Sequence, residues 1–333
     1  MNERLKVVAL GELLIDFTEY GQSLQGNPVL EANPGGAPCN VLSMMKKLGD
    51  DVHFVGKVGD DFFGHFLAER LGKLGIGTEY LSFDLAAHTT LAFVHNHPDG
   101  EREFGFYRNE QADTRLDVGD VPLQLIREAD LFHFGTLSMT HPQAKQATRL
   151  VVDTARENGV PVSFDPNLRL ALWQQEEDAR KAFAYGMERC DILKISDNEI
   201  LWYTGEADLE RAAAKLRREF PTIRLMVLSK GKDGSSAYWK GPAGKDIAVS
   251  EPAFLREDTI DTTGAGDTFG ACIFHFALQY GLEDLNEKKL RFMLRFAGAA
   301  ASIVTSRKGA LSVMPEQEEV EKILQGSESR SKQ

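Results

Sequence analysis

A chain of 333 residues can bury a full core, and its 42% hydrophobic and 26% charged content is that of a globular protein. A net charge of -12 without any Lys/Arg-rich stripe excludes unaided binding to a nucleic-acid backbone, but not an anionic small molecule met by local amides and cations. Three scattered cysteines (Cys39, Cys190 and Cys272) without C-x-x-C spacing, and an N-terminal apolar run broken by Glu12 and Asp16, lead to the expectation of a reduced, cytoplasmic protein with no signal peptide and no membrane partner.

The apolar run 6–15 reads as a buried strand, and 38–48 has helical spacing up to Gly49. A strand at 52–58 precedes an amphipathic helix at 62–74 whose stripe is Phe63, Phe66, Leu67, Leu71 and Leu74. The rhythm continues with strands at 131–134, 162–164 and 192–195 and helices at 143–157 and 176–188. Strands at 225–228 and 235–239 follow, then helices at 264–280, 288–305 and 315–324. Strands this short and uniformly apolar are covered on both faces. The fold class expected is therefore α/β, a doubly wound, mainly parallel sheet with helices on both faces.

One stretch departs from this rhythm. Segments 89–96 and 102–108 are β-like and flank Pro98-Asp99-Gly100, a hairpin signal. With 13–20 and 29–33 they form a small separate sheet, a β-sheet lid over one end of the main domain. The expected division is an α/β domain at 1–12, 34–87 and 113–325, a discontinuous lid at 13–33 and 88–112, and a disordered tail at 326–333. His95 and His97 share one face of a strand, but no third ligand stands at a fixed spacing, and no zinc site is expected.

The sharpest feature is Asp261-Thr262-Thr263-Gly264-Ala265-Gly266-Asp267-Thr268-Phe269-Gly270, which runs into an apolar helix at 271–278. The first amides of a helix lack intrahelical partners and sit at the positive end of its dipole, so Gly264, Ala265 and Gly266 can present N–H groups to a transferring phosphoryl group. A carboxylate beside that cradle, Asp267, can take the proton of an attacking alcohol. Two other readings compete: an aspartate that merely favours a helix start, and a loose dinucleotide loop, G-x-G-x-x-x-G. The polar stretch 251–260 with Pro252 is a poor first strand for the latter, and no G-x-x-x-x-G-K-[ST] is present.

That run, together with Gly35-Gly36-Ala37-Pro38-Cys39-Asn40 and the segment from Gly56 through Gly59 to Gly64, resembles the signatures of the ribokinase-like (PfkB) carbohydrate kinases over about residues 6–315. Gly11-Glu12-Leu13-Leu14-Ile15-Asp16-Phe17, Phe106-Tyr107-Arg108-Asn109, Ala112-Asp113 and Asp165-Pro166-Asn167-Leu168-Arg169 bring it closest to the fructokinases. The resemblance implies transfer of the γ-phosphate of ATP to a primary hydroxyl, giving fructose 6-phosphate from D-fructose, with Asp267 as base and Gly264, Ala265 and Gly266 as anion cradle. It implies sugar contacts from Asp16, Gly35, Gly36, Asn40, Phe93, Phe106, Asp165 and Asn167, with Arg108 and Arg169 reaching over the substrate.

On the nucleotide side it implies Lys194, Glu199, Ser229, Gly231, Gly234, Ala297 and Ala300, with Glu199 ordering the water shell of Mg²⁺. Ser196 stands where relatives often carry Asn. It further implies a potassium site at Asp261, Thr263, Val304 and Gly309, mostly through backbone oxygens, and a homodimer through the lid. Two alternatives remain open on the residues: a 2-keto-3-deoxygluconate kinase, in which Arg108 and Arg169 clamp a carboxylate, and a non-catalytic regulatory module that binds sugar and nucleotide. A nicotinamide oxidoreductase is the third.

Overall fold

The computed structural model describes residues 4–96 and 102–330. The hairpin turn Pro98-Asp99-Gly100, His97 and the side chain of His95 lie outside the described residues. The chain begins with β1 (Lys6–Leu10), β2 (Leu14–Gln22), β3 (Pro28–Gly35), α1 (Ala37–Lys47), β4 (Asp51–Gly59), α2 (Phe62–Lys73) and β5 (Gly77–Asp84). It continues through β6 (Leu91–Asn96), β7 (Arg102–Tyr107), α3 (Leu123–Arg127), β8 (Leu131–Phe134), α4 (Pro142–Glu157), β9 (Val162–Phe164) and α5 (Glu176–Arg189). The last part holds β10 (Ile192–Ser196), α6 (Asp197–Thr204), α7 (Leu209–Glu219), β11 (Leu225–Ser229), β12 (Ser235–Lys240), β13 (Asp246–Glu251), α8 (Ala265–Tyr280), α9 (Glu287–Val304) and α10 (Gln317–Arg330).

Nine strands form one sheet in the order β13-β12-β11-β10-β9-β8-β1-β4-β5. All neighbours are parallel except the pairs made by β12, which runs against both β11 and β13. Side chains alternate across a strand, and β1 divides accordingly: Val7 and Ala9 join the core under α1, α8 and α9, whereas Val8 and Leu10 join the core under α3, α4 and α5. Two apolar layers therefore sandwich one sheet, as the uniformly apolar strands demand. From β1 the chain moves outward to β4 and β5, then returns to place β8 on the other side of β1. That reversal opens a crevice at the carboxyl ends of the strands.

The apolar run 6–15 is not one strand. Gly11 donates its amide to Val55 O at 3.2 Å as a last rung, and the chain then leaves the large sheet to enter β2 of a second sheet. That four-stranded sheet has the order β3-β2-β6-β7. Asp16 and Phe17 are consecutive in β2, so they point to opposite faces. Phe17 stacks on Phe93 of β6 with centroids 5.1 Å apart and meets Phe63 of α2 edge-on at 5.7 Å, which ties the lid to the main body. The C-terminal segment differs from expectation as well: α10 continues to Arg330, past the expected start of disorder at 326. Ser327 secures it by donating its hydroxyl to Leu324 O and accepting from Arg295.

Candidate active site

The crevice holds a polar cavity of about 330 Å³ lined by Glu12, Leu14, Asp16, Gly36, Ala37, Asn40, Phe106, Leu137, Asn167, Arg169, Lys194, Thr262, Thr263, Gly264, Gly266 and Asp267. Its walls come from the carboxyl ends of β1, β8, β9 and β10, from the lid, and from the facing starts of α1 and α8. Gly264 is the N-cap of α8 in the left-handed conformation, φ 77°, and a Cβ there would approach that of Ala310 to 2.6 Å, so glycine alone fits. Gly264 and Gly266 line the cavity, while the amide of Ala265 between them donates to Thr262 O at 3.3 Å. Gly36 caps α1 with φ 127°, where a side chain would run into the backbone carbonyl of Glu12.

Asp267 sits in the first turn of α8, and its Oδ2 accepts a 2.7 Å hydrogen bond from Asn40 Nδ2 of α1. Burial raises its pKa above the ordinary carboxylate range, against the opposing pull of the Asn40 bond, Lys194 and Arg169. A carboxylate made more basic in this way, in the first turn of a helix, is suited to accept a proton from an alcohol. Asp16 is pushed up to about 7, first by burial and then by Asp261 and Asp267, while Arg169 opposes. Lys194 Nζ lies 2.8 Å from Asp165 Oδ2, with both side chains almost wholly buried. Burial disfavours the ammonium, but Asp165 and Glu199 outweigh it and raise its pKa, so the charge persists at the cavity floor.

A second cavity of about 360 Å³ meets the first at Thr262 and Gly266. It is lined by Ser229, Gly231, Lys232, Gly234 and Ser235, by the loop Pro252, Ala253, Phe254, Leu255 and Arg256, and by Thr259, Ala265, Phe269, Gly298, Ala301, Ser302 and Thr305. The start of α8 is thus the partition between a polar cavity and a more apolar one.

The pfkB family carbohydrate kinase model matches residues 4–317. The chain belongs to the pfkB family of carbohydrate kinases. It is 39% identical over 329 residues to "Probable fructokinase-4" of Arabidopsis thaliana, covering 98% of each chain. Among solved structures it is similar to the fructokinase of Xylella fastidiosa with bound ATP, with TM-score 0.86 and 29% identity over 97% of this chain and 99% of that one. It is also similar to a double mutant of the Vibrio cholerae O395 fructokinase in a form with fructose, ADP and potassium ion, with TM-score 0.84 and 25% identity over the same shares. The chain is a phosphotransferase with an alcohol acceptor, on a doubly wound fold with a small second sheet.

Within this kinase several expected contacts are placed differently. Arg108 does not line the polar cavity. Its guanidinium has no exposure: Nε donates to Asp113 Oδ2 at 2.7 Å, and the two terminal nitrogens donate to Thr140 Oγ1 and Leu137 O at 2.8 and 2.9 Å. Phe93 is spent on Phe17 and Tyr107 within the lid. Gly35 lies behind Asp16 instead of facing the cavity, and Asp165 is buried behind Lys194. Lys194, expected on the nucleotide side, lines the polar cavity.

Ala297 and Ala300 are fully buried in the core, because they lie on the inner face of α9; the outer face presents Gly298, Ala301, Ser302 and Thr305. Glu199 lines neither cavity. Its Oε2 accepts from the amide and hydroxyl of Ser196, closing a capping box on α6, and its Oε1 accepts from Leu168 N at 2.8 Å. Ser196, at the position where relatives often carry Asn, therefore holds Glu199 through a cap. Asp261 accepts from Thr263 N and Gly309 N at 2.8 and 3.2 Å, and its own amide donates to Thr305 O, so that loop gathers at the end of α9.

Sequence reasoning passed over Glu12, Leu137, Thr262 and the loop 252–256. The one available signal for the loop was its exposed Leu255, an apolar side chain on a polar stretch.

Proposed function

We propose that this chain phosphorylates D-fructose on a primary hydroxyl at the expense of ATP, giving fructose 6-phosphate. The observation that carries the reading is the position of Asp267: half-buried, bonded to Asn40, and beside Gly264 and Gly266 where the two cavities meet. A sugar in the polar cavity can offer its hydroxyl to Asp267, while a nucleotide in the more apolar one brings its terminal phosphate to the amides of Gly264, Ala265 and Gly266. The fructokinase names of the relatives support fructose as the acceptor.

Asp16, Gly36, Asn40, Phe106, Asn167 and Arg169 serve as the sugar-facing set. Asn167 is the one non-glycine residue with positive φ, 44°, among the described residues, a conformation that a loop retains where geometry at a site requires it. Ser229, Gly231, Gly234, Ser302 and Thr305 serve the nucleotide. Magnesium fits as an ion carried by the nucleotide's phosphates and water, because no group of three His, Cys, Asp or Glu able to ligate a metal is found among the described residues. In this reading Glu199, held by Ser196 and Leu168, orients that water shell, and bound magnesium would neutralise charge on the phosphates. A potassium ion fits the loop that gathers Asp261, Thr263 and Gly309 at the end of α9.

In this reading the enzyme works in the cytoplasm, where its three buried, unbridged cysteines stay reduced. No helix among the described residues is long and apolar enough to cross a membrane. A homodimer through the lid would cover the apolar surface exposed by Tyr20, Leu24, Val29 and Leu30. The two-arginine clamp of a keto-acid kinase is disfavoured, since Arg108 is committed to Asp113. Purified protein assayed with ATP and fructose, ribose or 2-keto-3-deoxygluconate tests the reading: fructose is expected to give the highest kcat/KM, and a preference for either other sugar would remove fructose from it.

A further inference from the structure

We propose that Glu12 determines substrate class in the polar cavity: its carboxylate accepts a hydrogen bond from a sugar hydroxyl and turns away sugars that carry a carboxylate of their own. The proposal rests on the fructose reading and names what in the cavity selects a neutral sugar.

Glu12 lies in the connection between β1 and β2, is 4% exposed, and lines the cavity. Apart from its own amide, the donor that reaches the carboxylate is Ala37 N, on Oε1 at 2.9 Å. Ala37 is the first residue of α1, and Gly36 before it has no side chain with which to cap the helix. Capping alone accounts for one oxygen, and a neutral Asn or Ser oxygen would serve as well. Burying a full carboxylate for that purpose is unfavourable unless its remaining lone pairs find donors.

No cation supplies them. The nearby Arg108 is taken by Asp113, and among the described residues Glu12 has no salt bridge. Burial accordingly pushes its pKa up to about 7, against the amides of Glu12 and Ala37 and the charge of Arg108. The unspent acceptor capacity faces a cavity whose ligand is rich in hydroxyl donors.

Position supports the same role. Glu12 is tethered to Ala37 and Asp267 to Asn40, three residues on along α1, a rise of about 4.5 Å. A sugar held between them can give its reacting hydroxyl to Asp267 and another to Glu12. Glu12, Asp16 and Asp267 put three carboxylates on one cavity against Arg169 and Lys194, and Lys194 is already paired with Asp165. An acid sugar would bring its charge against them, and such like-charge contacts reject the wrong ligand.

The test compares wild type with Glu12→Gln on fructose and on 2-keto-3-deoxygluconate, with ATP saturating. Gln keeps the side-chain volume and an oxygen for Ala37 N, so Tm is expected to stay near that of wild type. Its amide presents a donor where the carboxylate presented a charged acceptor. Fructose kcat/KM is expected to fall about 10-fold, mostly through KM, and that of the keto acid to rise by about the same factor. Unchanged values for both sugars in a well-folded Gln variant would overturn the proposal and leave Glu12 a helix cap. Wild type that fails to phosphorylate fructose would instead overturn the fructose reading, an outcome visible before any variant is made.

Discussion

Asn40 Nδ2 donates to Asp267 Oδ2 over 2.7 Å, and this bond joins the first turns of α1 and α8 where the polar cavity meets the start of α8. It also favours the ionised form of a carboxylate that burial otherwise pushes toward protonation. Removing it in Asn40→Ala raises the pKa of Asp267 further, so less base is present at a given pH. The acid limb of kcat should move to higher pH, with kcat at neutral pH down about 10-fold and partly restored in alkali. A pH profile at saturating substrates checks this; a limb left where it was would show that Asn40 does not tune the base.

The two faces of α9 give opposite expectations for neighbouring residues. A Cβ at Gly298 would stand 3.4 Å from Phe254, so Gly298→Leu fills the more apolar cavity and should raise KM for ATP at least about 10-fold, with KM for fructose unchanged. Ala300 has no exposure and faces the core. Ala300→Val should instead cost about 1–3 kcal/mol of stability and leave KM for ATP alone. Steady-state kinetics and denaturant unfolding separate the two.

Arg108 and Asp113 are a buried pair within the fold, on the far side of Phe106 from the polar cavity. Asp113→Ala leaves the guanidinium uncompensated and should destabilise the protein by about 3–5 kcal/mol in denaturant unfolding. A loss below about 1 kcal/mol would mean that water reaches Arg108 readily.

Much of this was legible in the sequence because the relevant residues are contiguous. The apolar strands 131–134, 162–164 and 192–195 are central in the sheet, and the segment around Asp267 carries the proposed base and cradle within four residues. The strands that went unread, β5 and β13, are the two edges of the nine-stranded sheet, where half-exposed positions such as Glu79 and Ser250 dilute the apolar signal. On α9 the run Ala297-Gly298-Ala299-Ala300-Ala301 offers no contrast between core and cavity, which is why Ala297 and Ala300 were expected to face the nucleotide. Arg108 and Glu12 owe their places to partners distant along the chain, Thr140 and Ala37, which no local pattern announces.

The central claim is that the Asp267 carboxylate takes the proton of the sugar hydroxyl. Asp267→Asn preserves shape and still offers an oxygen to Asn40, so only the basic charge is lost. The decisive measurement is kcat of this variant together with its fructose affinity by calorimetry. A fall in kcat of about 10²–10⁴-fold, with affinity within about 3-fold of wild type, is the expected result. A variant that turns over within about 10-fold of wild type would contradict the assignment of Asp267 as the base.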